Sequence, residues 1–101
     1  MRLSPEQTAI ILAAAHRRLG ADARVWLFGS RVDDAAKGGD IDLLIETARW
    51  PDPWLQAQLK AELEQRLGLK VDLVFAAPDA PERPIHRIAR LSGVLLHDRA
   101  A

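Results

Sequence analysis

The first strong pattern in the chain is a set of apolar residues that recur every four positions, namely Ile11, Ala15 and Leu19. In an α-helix this spacing places them on one face. Ser4 precedes the pattern at the position of an N-cap, and Ser4-Pro5-Glu6-Gln7 has the form of a capping box. Gly20 follows the pattern, where a helix commonly ends. The pattern therefore predicts a helix over residues 4–19.

A second helical pattern occupies the middle of the chain. Asp52 can cap a helix whose first residue is Pro53, and Gly68 provides the stop. Between them lies a stripe of leucines at helical spacing: Leu55, Leu59, Leu63 and Leu67. This stripe predicts a helix that packs its leucine face against a core.

The remaining apolar runs are short and rich in strand-forming residues. They predict three strands, a short third helix and an edge strand, at residues 24–28, 40–45, 69–75, 85–91 and 94–96. The order of elements is helix, strand, turn, strand, helix, strand, helix. It indicates one α/β domain over residues 1–101, with a mixed sheet of three or four strands covered by helices.

Composition narrows the functional classes. Hydrophobic residues make up 49% of the chain, and 14 Lys and Arg balance 14 Asp and Glu. A net charge of zero argues against a dedicated nucleic-acid-binding module. The absence of cysteine excludes disulfides, thiolate nucleophiles and cysteine-ligated zinc. Neither a signal peptide nor an apolar run long enough to span a bilayer is visible, so we expect a cytoplasmic protein without a membrane anchor.

Three aspartates stand out against the apolar strands. Asp40 and Asp42 open the second predicted strand, where alternation places them on one face. Asp72 lies inside the third strand, between Val71 and Leu73. If the two strands are neighbours, the three carboxylates converge, and a cation can offset their charge. Hard oxygen ligands of this kind suit Mg²⁺ or Mn²⁺.

A phosphate-binding turn is predicted directly after the first strand. Gly29 allows close approach of a ligand to the backbone, and a helical turn that begins at Ser30 would direct N–H groups at a phosphate. The Ser30 hydroxyl can donate to a phosphate oxygen, and Arg31 can add positive charge. Enzymes that transfer nucleotidyl groups combine metal-binding carboxylates with a phosphate-binding turn.

Each of these residues also has an ordinary structural interpretation. Asp40 can cap a turn after Gly39, and Asp72 can face solvent on an edge strand. Ser30 can act as a helix cap alone, and Arg31 can be a solvated surface residue. The composite pattern favours an active site over these separate interpretations, because five of its parts occur in the expected order.

The run from Leu27 to Glu46, LFGSRVDDAAKGGDIDLLIE, resembles the Gly-Ser and Asp-x-Asp signature of the DNA-polymerase-β-like nucleotidyltransferases. The later VDLVF, from Val71 to Phe75, is similar to the strand that carries their third carboxylate. The short chain most resembles the minimal nucleotidyltransferases, or MNT proteins. Nine residues separate Ser30 from Asp40, one fewer than in the antitoxin subgroup of that family.

The resemblance implies a role for each site residue. Asp40 and Asp42 would hold the metal ions, Asp72 would complete the site, and Gly29-Ser30 would contact the triphosphate. The resemblance further implies ATP as the donor and a HEPN-domain toxin as the partner, with AMP transferred to a toxin tyrosine. Two alternatives remain: a non-catalytic antitoxin of the same fold that acts by contact, and a free-standing transferase acting on a small molecule.

Overall fold

The computed structural model describes residues 3–29 and 40–97, with only the backbone of Asp40. Three helices and four strands follow one another in the predicted order. They are α1 (Pro5–Leu19), β1 (Arg24–Phe28), β2 (Asp40–Glu46), α2 (Pro53–Leu67), β3 (Lys70–Ala76), α3 (Pro84–Ser92) and β4 (Val94–Leu95).

The ends of α1 and α2 follow from local sequence. Ser4 accepts a hydrogen bond from the Gln7 N–H at 3.1 Å, and the Gln7 side chain accepts one from the Ser4 N–H at 2.9 Å. This confirms the predicted capping box. At the start of α2 the Asp52 carboxylate accepts a hydrogen bond from the Trp54 N–H at 2.6 Å. Gly68 ends α2 in the left-handed conformation.

The four strands form one mixed sheet in the order β3-β2-β1-β4. β1 runs antiparallel to β2 and to β4, whereas β2 and β3 are parallel. The parallel pair requires a crossover connection, and α2 supplies it. The predicted fold class, an α/β domain with a mixed three- or four-stranded sheet, is therefore confirmed.

Helices cover both faces of the sheet. On one face α1 and α2 pack against alternate residues of β2, which are fully buried: Ile41, Leu43 and Ile45. On the other face α3 packs through Ala89 against Phe28, Leu44 and Ala76. Because side chains alternate along a strand, Asp42 lies on the α3 face together with Leu44.

The element boundaries differ from the predicted ones by a residue or two. β3 extends to Ala76, whose carbonyl accepts a hydrogen bond from the Thr47 N–H at 2.9 Å. α3 runs from Pro84 to Ser92, one residue longer at each end than predicted. Within the part of the chain that the structure describes, no helix has the length and apolarity needed to cross a bilayer.

Candidate active site

Two of the three predicted site aspartates are direct neighbours in the sheet. Asp42 on β2 and Asp72 on β3 are paired positions of the parallel ladder. Paired positions in a sheet direct their side chains to the same face, which here is the α3 face. Asp42 is half-buried and Asp72 is exposed. Two carboxylates therefore stand side by side where β2 and β3 begin.

Gly29 lies against the carboxylate of Asp42. Phe28, the last residue of β1, is paired with Asp42, so the chain leaves β1 beside the carboxylate. Gly29 has φ = +77°, a conformation that side chains disfavour. A Cβ atom there would lie 2.2 Å from the Asp42 Oδ2 atom. Only glycine lets the backbone pass this close to the Asp42 carboxylate, and the close approach of a ligand to Gly29 remains a prediction.

The other predicted site residues are described in part or not at all. The Cα atom of Asp40 is paired with that of Lys70, two positions before Asp42, but its side chain is outside the described part of the chain. Ser30 and Arg31 also lie outside the described residues. The convergence of three carboxylates and the phosphate contacts of Ser30 and Arg31 therefore remain predictions. Among the described residues, no group of three His, Cys, Asp or Glu is placed to hold a metal ion.

The donor set fits a hard divalent cation. Asp42 and Asp72 offer carboxylate oxygens on one face of the sheet, and the Gly29 backbone lies directly against the Asp42 carboxylate. Mg²⁺ and Mn²⁺ are bound in proteins by such oxygens, together with the phosphates of a substrate. With the Asp40 carboxylate, if it lies on the same face, the set would match that of a two-metal site.

A separate cleft of about 550 Å³ lies at the far end of the sheet, near the last residues of β2 and β3. Its central carboxylate, Glu46, accepts hydrogen bonds from the Trp26 indole at 2.8 Å and from Arg90 at 2.7 Å. Burial raises the pKa of Glu46, but these hydrogen bonds and the nearby Arg90 and Arg24 charges outweigh it and lower the pKa. Arg90 also pairs with Glu82 at 2.6 Å.

This network joins α3 to β1 and β2. The hydrogen bonds between Glu46, Trp26 and Arg90 offset the cost of partly burying the two charged groups. We therefore assign Glu46 and Arg90 a structural role. Sequence reasoning missed them because a glutamate at the end of a strand and an arginine on a helix are ordinary surface residues until the fold brings them together.

Comparison with known families decides the identity of the domain. The sequence profile described as polymerase beta, nucleotidyltransferase matches residues 21–100. The chain belongs to this nucleotidyltransferase family. The match contains β1, Gly29, Asp40, Asp42 and Asp72, so the features that define the candidate site fall within it. The chain matches none of the curated proteins.

Two solved structures share the nucleotidyltransferase fold of this chain. One, from Shewanella oneidensis, is 17% identical with a TM-score of 0.71, and the alignment covers 94% of this chain and 72% of the other. The second is a structure of tri-AMPylated Shewanella oneidensis HEPN toxin in complex with MNT antitoxin. Its matching chain is 19% identical with a TM-score of 0.73, over 96% of this chain and 75% of the other. At these identities the likeness establishes the fold.

Proposed function

We propose that this nucleotidyltransferase transfers AMP from ATP to a hydroxyl group, with a tyrosine of a HEPN-domain toxin as the acceptor, and thereby acts as an antitoxin. The observation that carries the proposal is the pairing of Asp42 with Asp72 on adjacent parallel strands, beside Gly29. In the nucleotidyltransferase family, carboxylates at these positions hold the metal ions that bind the reacting phosphate and help to activate the attacking hydroxyl.

The proposed reaction replaces one P–O bond by another, and Asp72 and Gly29 of this chain have separate roles in it. The acceptor oxygen attacks the α-phosphorus of ATP and forms a new P–O bond. The bond from that phosphorus to the pyrophosphate breaks, and pyrophosphate leaves with the electron pair. Asp72 is exposed and stands beside Asp42, so its carboxylate can accept the proton of the attacking hydroxyl. Gly29 is exposed and carries no side chain, so the triphosphate can approach its backbone beside Asp42.

A divalent cation belongs to this proposal as the partner of the carboxylates. Asp42 and Asp72, together with Asp40, would hold Mg²⁺ or Mn²⁺. When bound there, the cation would stabilise negative charge on the phosphates and favour ionisation of the acceptor hydroxyl.

The choice of acceptor rests on two further observations. The 101 residues contain no tyrosine, so a tyrosine acceptor must lie outside them. A solved structure with the same fold belongs to a complex that contains an AMPylated HEPN toxin and an MNT antitoxin. We infer that the present chain acts on a partner of the same kind, with ATP as donor.

Intact-mass measurement of the partner tests the proposal. The protein is incubated with its HEPN-domain partner, ATP and Mg²⁺, and the partner is expected to gain one or more AMP units. Asp42→Asn should abolish the gain. Asp22→Asn is the matched control, because it removes the same charge at an exposed position that lines the far cleft.

Two results would contradict the enzymatic proposal. Neutralisation of the partner without a mass gain, and equally well by Asp42→Asn, would identify an antitoxin that acts by contact alone. AMP found on a small molecule such as an aminoglycoside, and not on the partner, would identify a free-standing transferase.

A further inference from the structure

β3 is an edge strand, because β2 is its only neighbour in the described sheet. Side chains of α2 occupy part of its outer edge. The Glu64 carboxylate accepts a hydrogen bond from the Val71 N–H at 2.9 Å, and the Lys60 ammonium donates to the Val71 carbonyl. Lys60 and Glu64 are themselves paired at 3.0 Å. These two residues close the edge at Val71, the second residue of the strand.

The edge stays open further along β3. Since the Val71 N–H and carbonyl face away from β2, the alternation of the strand turns those of Leu73 and Phe75 to the same side. Within residues 3–29 and 40–97, these four backbone groups have no hydrogen-bond partner. A free row of donors and acceptors on an edge strand is a template for another strand.

A groove runs between this open edge and α2. Its volume is about 370 Å³. Gln56, Ala57 and Lys60 of α2 form one wall, and Asp72, Leu73 and Phe75 of β3 form the other. Trp54 stands in the first turn of α2 with 70% of its surface exposed. Exposed tryptophans are frequent anchors for protein partners, and Trp54 follows directly on Pro53, which lines the groove.

We propose that this edge binds an extended segment of the acceptor protein as an added strand, and that this segment carries the hydroxyl to be modified. The inference rests on the proposed transferase function. Alternating N–H and carbonyl groups at strand spacing select an extended chain over a helix, because a helix has already paired its own backbone groups.

The position of Asp72 argues that the occupant is the acceptor. Asp72 lies on β3 between Val71 and Leu73, and its side chain points to the α3 face beside Asp42. A residue of an added strand that faces the same way would have its Cβ about 5 Å from that of Asp72. Its side chain would therefore lie beside the carboxylate proposed to accept the proton. A strand bound anywhere else on the sheet would not have this relation to Asp72.

The closed end of the edge also restricts the register of the segment. Glu64 and Lys60 occupy the hydrogen-bonding positions at Val71, so an added strand can form backbone hydrogen bonds only from Leu73 onward, and its residue opposite Asp72 is the last that the edge accommodates. Backbone pairing supplies affinity without selecting sequence, whereas the groove walls and Asp72 select the side chains. The site thus selects an extended segment that presents a hydroxyl at the position opposite Asp72.

Amide hydrogen exchange measured by NMR tests the inference directly. On addition of the HEPN-domain partner without ATP, the Leu73 and Phe75 amides are expected to exchange at least tenfold more slowly. Ala57→Arg should remove this protection and reduce AMP transfer, because Ala57 is exposed and lines the groove. Ala61→Arg is the matched control on the same helix: Ala61 is also exposed but does not line the groove.

The possible results separate this inference from the proposed function. AMP transfer without protection of the two amides, and undiminished in Ala57→Arg, would overturn the docking site and leave the transferase intact. Protection without any mass gain would support the docking site and refute the transfer. Protection that appears in the isolated chain as its concentration rises would assign the edge to self-association and overturn the inference.

Discussion

Gly29 and Asp42 approach each other so closely that no side chain fits between them. A Cβ atom at Gly29 would lie 2.2 Å from the Asp42 Oδ2 atom and 3.0 Å from its Cγ atom. The approach arises because Phe28 pairs with Asp42 at the end of β1, and the next residue turns across the carboxylate with φ = +77°. The glycine that follows β1 therefore allows the backbone to pass directly beside the Asp42 carboxylate.

Gly29→Ala should impair transfer far more than it impairs folding. The left-handed conformation costs about 1–2 kcal/mol for a residue with a Cβ atom, and the added methyl group must also displace the Asp42 carboxylate. A displacement of about 1 Å in an active site can lower the rate about 100-fold. Transfer rates and urea denaturation measure the two effects.

The control for this variant is Gly68→Ala. Gly68 has a similar backbone, with φ = +69°, but an added Cβ would meet no atom within 4 Å. Gly68→Ala should lose as much stability as Gly29→Ala from the backbone conformation, and it should retain full transfer activity. Equal activity in the two variants would show that the space beside Asp42 plays no part in the reaction.

Mg²⁺ should raise the melting temperature of the wild-type protein. A ligand that binds only the native state stabilises it by about 2.7 kcal/mol at 100 times its Kd. Asp42→Asn and Asp72→Asn should lose this response, whereas Asp22→Asn should keep it. Differential scanning calorimetry with and without Mg²⁺ makes the comparison, and an unchanged response in both site variants would argue against a metal site at this pair.

Glu62 should contribute to stability in a pH-dependent way. Hydrogen bonds from Arg17 and Arg18 lower the pKa of Glu62 from 4.5 to about 2, and they join α1 to α2. Because the folded pKa lies below the unfolded one, this stabilisation is complete above about pH 4.5. It is lost as the pH falls through the range down to about 2.

Glu62→Gln should therefore lower the free energy of unfolding at pH 7 by about 1–2 kcal/mol and flatten its acid dependence. Glu6→Gln removes the same charge from an exposed site in the first turn of α1 and serves as the control. Urea denaturation from pH 7 to pH 3 measures both variants. A parallel acid dependence in Glu62→Gln and the wild type would contradict the assignment.

The attachment of α3 should depend more on Glu46 than on Glu82, although both pair with Arg90. Glu46 holds Arg90 and Trp26 together and has 22% of its side chain exposed, whereas Glu82 is 53% exposed. Glu46→Gln should lower the free energy of unfolding by about 1–3 kcal/mol, and Glu82→Gln should lower it by less than about 1 kcal/mol. If chemical denaturation gives equal losses of unfolding free energy for the two variants, the less exposed Glu46 contributes no more to stability than Glu82.

Much of the fold could be predicted from local sequence. The capping box at Ser4, the cap at Asp52 and the glycine stops predicted both long helices to within a residue, because caps act over three or four positions. The leucine stripe of α2 was also informative, since Leu59 and Leu63 are fully buried. Strand limits were less accurate: the end of β3 depends on the hydrogen bond between Thr47 and Ala76.

The candidate site was predictable as a set of residues and not as a geometry. Asp42 and Asp72 were recognisable because each is a carboxylate inside an apolar strand. Whether they meet depends on β2 and β3 being adjacent, parallel and in this register, which a separation of 30 residues along the chain does not reveal. Ser30 and Arg31 remain predictions from sequence.

Sequence by itself determined the helices, the approximate strands and the residue types that can bind metal and phosphate, because these depend on contacts between near neighbours. The tertiary structure alone decided which strands lie side by side. It thereby placed Asp72 beside Asp42, turned Gly29 against the Asp42 carboxylate and left the Leu73–Phe75 edge open beside α2. These relationships join residues distant in the chain, and packing of the whole sheet and its helices selects them over other pairings.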